Sequence, residues 1–193
     1  MKSICVFCGA NPGTDPRYAQ AAFETGRTLA ERGITLVFGG GKVGLMGATA
    51  DGALSAGGRV VGVIPDFLRS RELSHPGVEE MIITQTMHQR KQRMAELSEG
   101  FIALPGGLGS MDELFEILTW AQLELHSCPV GLLNAGGYYD PLLAMLDRMR
   151  EEGFLNPVNR GLLLASDSLD PLLAQMEARA AAGKASGGHL SRS

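Results

Sequence analysis

Apolar and polar positions along this chain fall into two alternating rhythms. Short apolar runs at 3–7, 34–38, 59–64, 80–84, 101–104, 130–133 and 162–165 predict seven strands. Between them, spacings of three and four predict helices at 15–31, 45–56, 86–98, 110–125, 139–152 and from 170 to about 181. Thr14 is the expected cap of the first helix and Gly33 its stop. Residues 67–78, with Pro76 and Gly77, read as a loop. The strands are apolar on both sides and alternate with helices. That pattern predicts a parallel sheet covered on both faces, a single-domain Rossmann-like, doubly wound α/β fold over 1–182. The polar stretch 183–193 is expected to be a disordered tail.

Ligands in such folds bind at the carboxyl ends of the strands. Three glycine-bearing loops land on that edge: 8–13 with Gly9, 39–47 with Gly40 and Gly41, and 105–110. The last, Pro105-Gly106-Gly107-Leu108-Gly109-Ser110-Met111-Asp112-Glu113, joins a strand directly to a helix. Its glycines allow close approach of a ligand, and free N–H groups at the helix start can hold a phosphate. Glu113 places a carboxylate in the same first turn. An anion cradle beside a carboxylate points to a phosphorylated substrate whose reacting atom lies a few ångströms from its phosphate. Ser110-x-x-Glu113 also matches a capping box, so Glu113 is a helix cap, a catalytic group, or both. Asp112 suits the positive end of the helix dipole.

Gly39-x-Gly41-x-x-Gly44 matches the dinucleotide fingerprint, with Asp66 near the usual ribose-binding offset. The match follows the second strand rather than the first, and Asp66 lies past the strand end, after Pro65. Mononucleotide binding across two glycine loops is the better reading. In the helix 86–98, Met87, Arg90, Lys91 and Met94 share one face. The helix starts at the strand-end edge, so its cations can neutralise a phosphate or orient a carboxylate. His88 points away from that stripe and reads as structural or surface.

Composition changes this picture little. The chain has 193 residues, a net charge of −4, and 45% hydrophobic and 20% charged residues. No basic block favours nucleic acid or an anionic membrane, and no apolar span is long enough to cross a bilayer. Three cysteines and no export signal predict a reducing cytoplasm. Cys5-x-x-Cys8 lies within a strand, where residues three apart face opposite ways, so it reads as two small buried residues rather than a redox or metal pair.

The segments GGGKVGLMG at 39–47, MHQRK at 87–91, PGGLGSMDE at 105–113 and WAQLELHSCPVGLLNAGGYYD at 120–140 resemble the Lonely Guy (LOG) family. Its members are cytokinin riboside 5′-monophosphate phosphoribohydrolases, often mislabelled as lysine decarboxylases. The resemblance spans roughly residues 2–165. Ser110 stands where the family pattern P-G-G-x-G-T-x-x-E has threonine, and keeps the hydroxyl. Ala10 stands where serine is common after Cys-Gly, and removes one polar group. The resemblance implies hydrolysis of the N-glycosidic bond of an AMP-like nucleotide, with or without an N6-isopentenyl group, to free base and ribose 5-phosphate. It implies Arg90 and Glu113 as catalytic residues, the phosphate on the amides of Gly106, Gly107, Gly109 and Ser110 in the turn that also holds Leu108 and Met111, and Glu72, Lys91 and Thr119 lining the site, with Met87 near the base. It implies no cofactor and no metal, and a homodimer, with Trp120 and Leu123 at the contact. The competing reading is a non-catalytic nucleotide or molybdenum-cofactor carrier of the same fold.

Overall fold

A computed structural model describes residues 1–72 and 74–187, with side chains except at 70–72 and 184–187. The seven expected strands form one parallel sheet: β1 (Ser3–Phe7), β2 (Thr35–Phe38), β3 (Val60–Pro65), β4 (Glu80–Thr84), β5 (Phe101–Ala103), β6 (Val130–Leu133) and β7 (Leu163–Ser166). Their order is β4-β3-β2-β1-β5-β6-β7. The chain winds outward from β1 to β4, returns to pair β5 with β1 (Cys5 beside Phe101), and winds outward the other way. The direction reverses between β1 and β5, and a crevice opens there at the strands' carboxyl ends.

The helices are α1 (Pro16–Glu31), α2 (Gly44–Ser55), α3 (Asp66–Glu72), α4 (Met87–Glu96), α5 (Leu108–Gln122), α6 (Asp140–Glu151), α7 (Pro157–Arg160) and α8 (Leu169–Gly187). Alternate strand residues divide the core between the two sheet faces. Ile4, Val6, Leu36, Phe38 and Ile102 pack on α1, α2 and α8 through Leu29, Ala50 and Leu172. Cys5, Phe7, Val37, Val63 and Phe101 pack on α4, α5 and α6 through Met94, Leu114 and Leu146. Cys5 and Cys8 therefore lie on opposite faces. Burial pushes the Cys8 thiol up to about 12 and holds Cys5 well above its ordinary value, so both remain thiols at neutral pH.

Four expectations are corrected. Residues 66–72, most of which the sequence pattern assigns to a loop, form α3, which starts immediately after Pro65. Asp15, not Thr14, caps α1, accepting from Arg17 N–H at 2.9 Å. Helix α7 was not foreseen; it is capped by Asn156, which accepts from Asn159 N–H. Helix α8 continues through 183–187, while 188–193 lie outside the described residues.

Candidate active site

The loop after β5 is stitched to its neighbours by backbone bonds. Gly9 N–H donates to the Pro105 carbonyl at 3.0 Å, and Leu45 N–H, at the start of α2, donates to the Gly9 carbonyl at 2.9 Å. A methyl group on Gly106 would overlap the Ser110 hydroxyl and press on Gly9 N at 3.0 Å, so only glycine fits there. Gly107 caps α5 through its backbone, and Met111 N–H makes the first helical bond, to the Gly107 carbonyl at 3.1 Å. The N–H groups of Leu108, Gly109 and Ser110 precede that bond and face no helical acceptor. Gly107 and Gly109 border open space, and Leu108 is 91% exposed. The helix thus begins earlier than its polar pattern suggested. Ser110 is buried inside the first turn and is not the cap, which removes the capping-box reading of Glu113.

Helix α4 delivers Arg90. Thr86 caps it, accepting from Gln89 N–H, while the Gln89 side chain accepts from Gln85 N–H. Arg90 is only 6% exposed, and a buried guanidinium must find partners. Its Nε donates to the Val63 carbonyl at 3.1 Å and its Nη2 to the Gly39 carbonyl at 3.3 Å. Its Nη1 lies 3.6 Å from Glu113 Oε1, and the Glu113 side chain is 11% exposed. A methyl on Gly39 would collide with the guanidinium, so that glycine makes room for an arginine of its own chain.

These elements enclose a cleft of about 440 Å³. It brings together Arg90, Glu113, Met87, Asp112, Ser110 and the glycines 9, 106, 107 and 109. Other expected residues lie elsewhere. Lys91 does not line the cleft; its Nζ pairs with Asp112 Oδ2 and Glu116 Oε1, both at 3.1 Å. Burial acts to lower its pKa, but hydrogen bonds to the two carboxylates outweigh this and the net shift is upward. Met111 and Thr119 flank a separate groove on the outer side of α5, where the Thr119 hydroxyl donates to the Phe115 carbonyl. Gly40 and Gly41, expected near the nucleotide, are buried and held by the chain at 74–75: Gly40 accepts from His75 N–H at 3.0 Å and Gly41 bridges Ser74. The Glu72 side chain lies outside the described residues. His88 is exposed.

Sequence reasoning missed Tyr18, Leu45, Met46 and Tyr138, which also line the cleft. Asn134-Ala135-Gly136-Gly137-Tyr138-Tyr139 carried a signal, because paired glycines before two tyrosines mark a tight turn. Gly136 and Gly137 adopt φ of 63° and 74° there.

Comparisons with known proteins show the family. An Arabidopsis thaliana protein, cytokinin riboside 5′-monophosphate phosphoribohydrolase LOG1, is 47% identical over 92% of this chain and 83% of its own. A Rhodococcoides fascians protein of the same enzyme name is 47% identical over 90% of this chain and 88% of its own. This chain belongs to the LOG family. The family model that matches residues 46–176 carries the description "Possible lysine decarboxylase". Among solved structures, a molybdenum cofactor binding protein from Rippkaea orientalis superposes with a TM-score of 0.69 over 92% of this chain and 97% of its own. The Chlamydomonas reinhardtii molybdenum cofactor carrier protein gives 0.68, over 93% and 98%. At 22% and 21% identity these two share the LOG fold with this chain and no more.

Proposed function

We propose that this chain hydrolyses the N-glycosidic bond of adenosine 5′-monophosphate and its N6-substituted forms, releasing the free base and ribose 5-phosphate. The observation that carries this reading is a buried Arg90–Glu113 pair in the same cleft as the open start of α5. The N–H groups there take the 5′-phosphate, helped by the helix dipole. Glu113 stands three residues beyond Ser110, a rise of about 5 Å along the helix. That is the scale of a ribose ring between its phosphate and its anomeric carbon.

The chemistry follows from that placement. The bond from C1′ to the base nitrogen breaks, its electron pair leaves with the base, and positive charge develops on the ribose ring. The Glu113 carboxylate stabilises that charge and accepts a proton from water as the water oxygen bonds to C1′. The departing base takes up a proton from solvent, and Glu113 releases the one it accepted, which restores the carboxylate. Arg90, pinned by two carbonyls, holds Glu113 in place and offsets its charge. Leu45, Met46 and Met87 give the cleft an apolar wall that suits a purine and an N6-alkyl group. The enzyme acts as a homodimer in the cytoplasm, a reading supported by the exposed Phe115, Leu123 and Leu125 on and after α5 and by the three free cysteines.

Incubating the protein with nucleosides and their mono-, di- and triphosphates, with and without N6 substituents, and separating products by chromatography tests the reading. Base release from 5′-monophosphates is expected, with nucleosides far slower. Equal release from nucleosides removes the phosphate cradle from the account.

A further inference from the structure

The two peptide groups that lead into α5 are held by their carbonyls. The Pro105 carbonyl accepts from Gly9 N–H, and the Gly106 carbonyl accepts from the Tyr138 hydroxyl at 2.6 Å. A trans peptide is planar, and its C=O and N–H point in opposite directions. Fixing the Gly106 carbonyl therefore fixes the Gly107 N–H, aimed away from Tyr138. Glycine at both positions leaves that peptide free to rotate unless something holds it.

The hold is itself well supported. After β6, Asn134 ties down the turn: its Oδ1 accepts from Tyr139 N–H and its Nδ2 donates to Asp140, each at 2.7 Å. Tyr138 stands edge-on to Tyr18 (centroids 5.6 Å apart) and to Tyr139 (4.8 Å). The adjacent Tyr139 hydroxyl donates at 2.6 Å to the Leu104 carbonyl, whose peptide continues into Pro105 and carries no N–H to orient. Two neighbouring tyrosines thus make similar bonds to one loop, and only one of them sets the direction of a donor.

We infer that Tyr138 is a positioning residue for phosphate: its hydroxyl locks the Gly106–Gly107 peptide so that the Gly107 N–H is already presented to the 5′-phosphate before substrate arrives. The inference rests on the nucleotide reading above, and it adds a residue that confers preference for phosphorylated substrates. Losing the lock leaves the peptide to be ordered on binding, which costs affinity rather than chemistry.

Tyr138→Phe and Tyr139→Phe, compared in the full chain, test it. For each, KM and kcat for AMP are measured, together with the affinity for inorganic phosphate by calorimetry and the melting temperature. Tyr138→Phe is expected to raise both KM and the phosphate dissociation constant about five- to tenfold, the range of one hydrogen bond, with kcat within about twofold. Tyr139→Phe is expected to lower the melting temperature while changing phosphate affinity less than about twofold. Phosphate affinity in Tyr138→Phe equal to wild type, or lost equally in both variants, overturns the inference. Phosphate binding that depends on Tyr138 in a protein that releases no base keeps the inference and rejects the reaction. A wild-type protein that binds no phosphate rejects both.

Discussion

Two loops of this protein have the same plan, a strand ending in glycines that open onto a helix, and they do opposite things. In the loop before α2, protein fills the space that the glycines create. Gly39 accommodates and bonds Arg90, Gly40 and Gly41 receive the chain at 74–75, and a side chain on Gly44 would run into the Ala10 backbone. Of the amides that precede the first helical bond of α2, that of Leu45 is spent on the Gly9 carbonyl. In the loop before α5, Gly107 and Gly109 border open space and the amides precede the first helical bond. A glycine fingerprint marks close approach, and what approaches can be the protein itself. This is why the glycines matching the dinucleotide pattern at 39–44 do not line the cleft, while those of the less regular 106–109 do.

Variants that act on the two loops can break or sharpen this contrast. The largest effect is expected from the pair that the filled loop supports: Arg90→Ala lowers kcat about 10²–10⁴-fold, the range of a lost acid–base or charge-stabilising group, with a native circular-dichroism spectrum. Gly39→Ala should follow, since its methyl displaces the guanidinium. It is expected to cost about 1–3 kcal/mol in urea unfolding and to lower kcat about a hundredfold with it. Gly107→Ala is the counterpart in the open loop. Its methyl meets nothing in the protein, so stability stays unchanged while KM rises about tenfold, because ligand approach is obstructed. If Gly39→Ala were harmless and Gly107→Ala unfolded the chain, the assignment of filled and open would be reversed. Lys91→Ala is expected to do least, changing kcat less than about fivefold, because Lys91 does not itself line the cleft and reaches it only through Asp112.

The sheet was legible because parallel strands buried on both faces leave continuous apolar runs such as Ile4–Phe7 and Val60–Ile64. Helix α3 was not, because Phe67 is exposed and the segment is mostly polar, so it buries no clear apolar stripe. The start of α5 was placed two residues late and its cap three residues late. Local pattern favoured Ser110 as a cap, but the loop's tethering at Pro105 and Gly106 lets a backbone-only cap at Gly107 succeed. Arg90 was legible as a cation on the right edge, yet its burial was not, since its partners Val63 and Gly39 come from strand ends distant in sequence. Tyr138 was missed for the same reason: its contact with Gly106 spans 32 residues.

The most direct test of the central claim is the products formed from AMP by wild type and by Glu113→Gln, followed by chromatography alongside AMP binding by calorimetry. The account predicts equal amounts of free adenine and ribose 5-phosphate from wild type, and from Glu113→Gln undiminished AMP binding with base release at least about a hundredfold slower. Base release by Glu113→Gln at the wild-type rate, or adenosine and phosphate as the wild-type products, would contradict it.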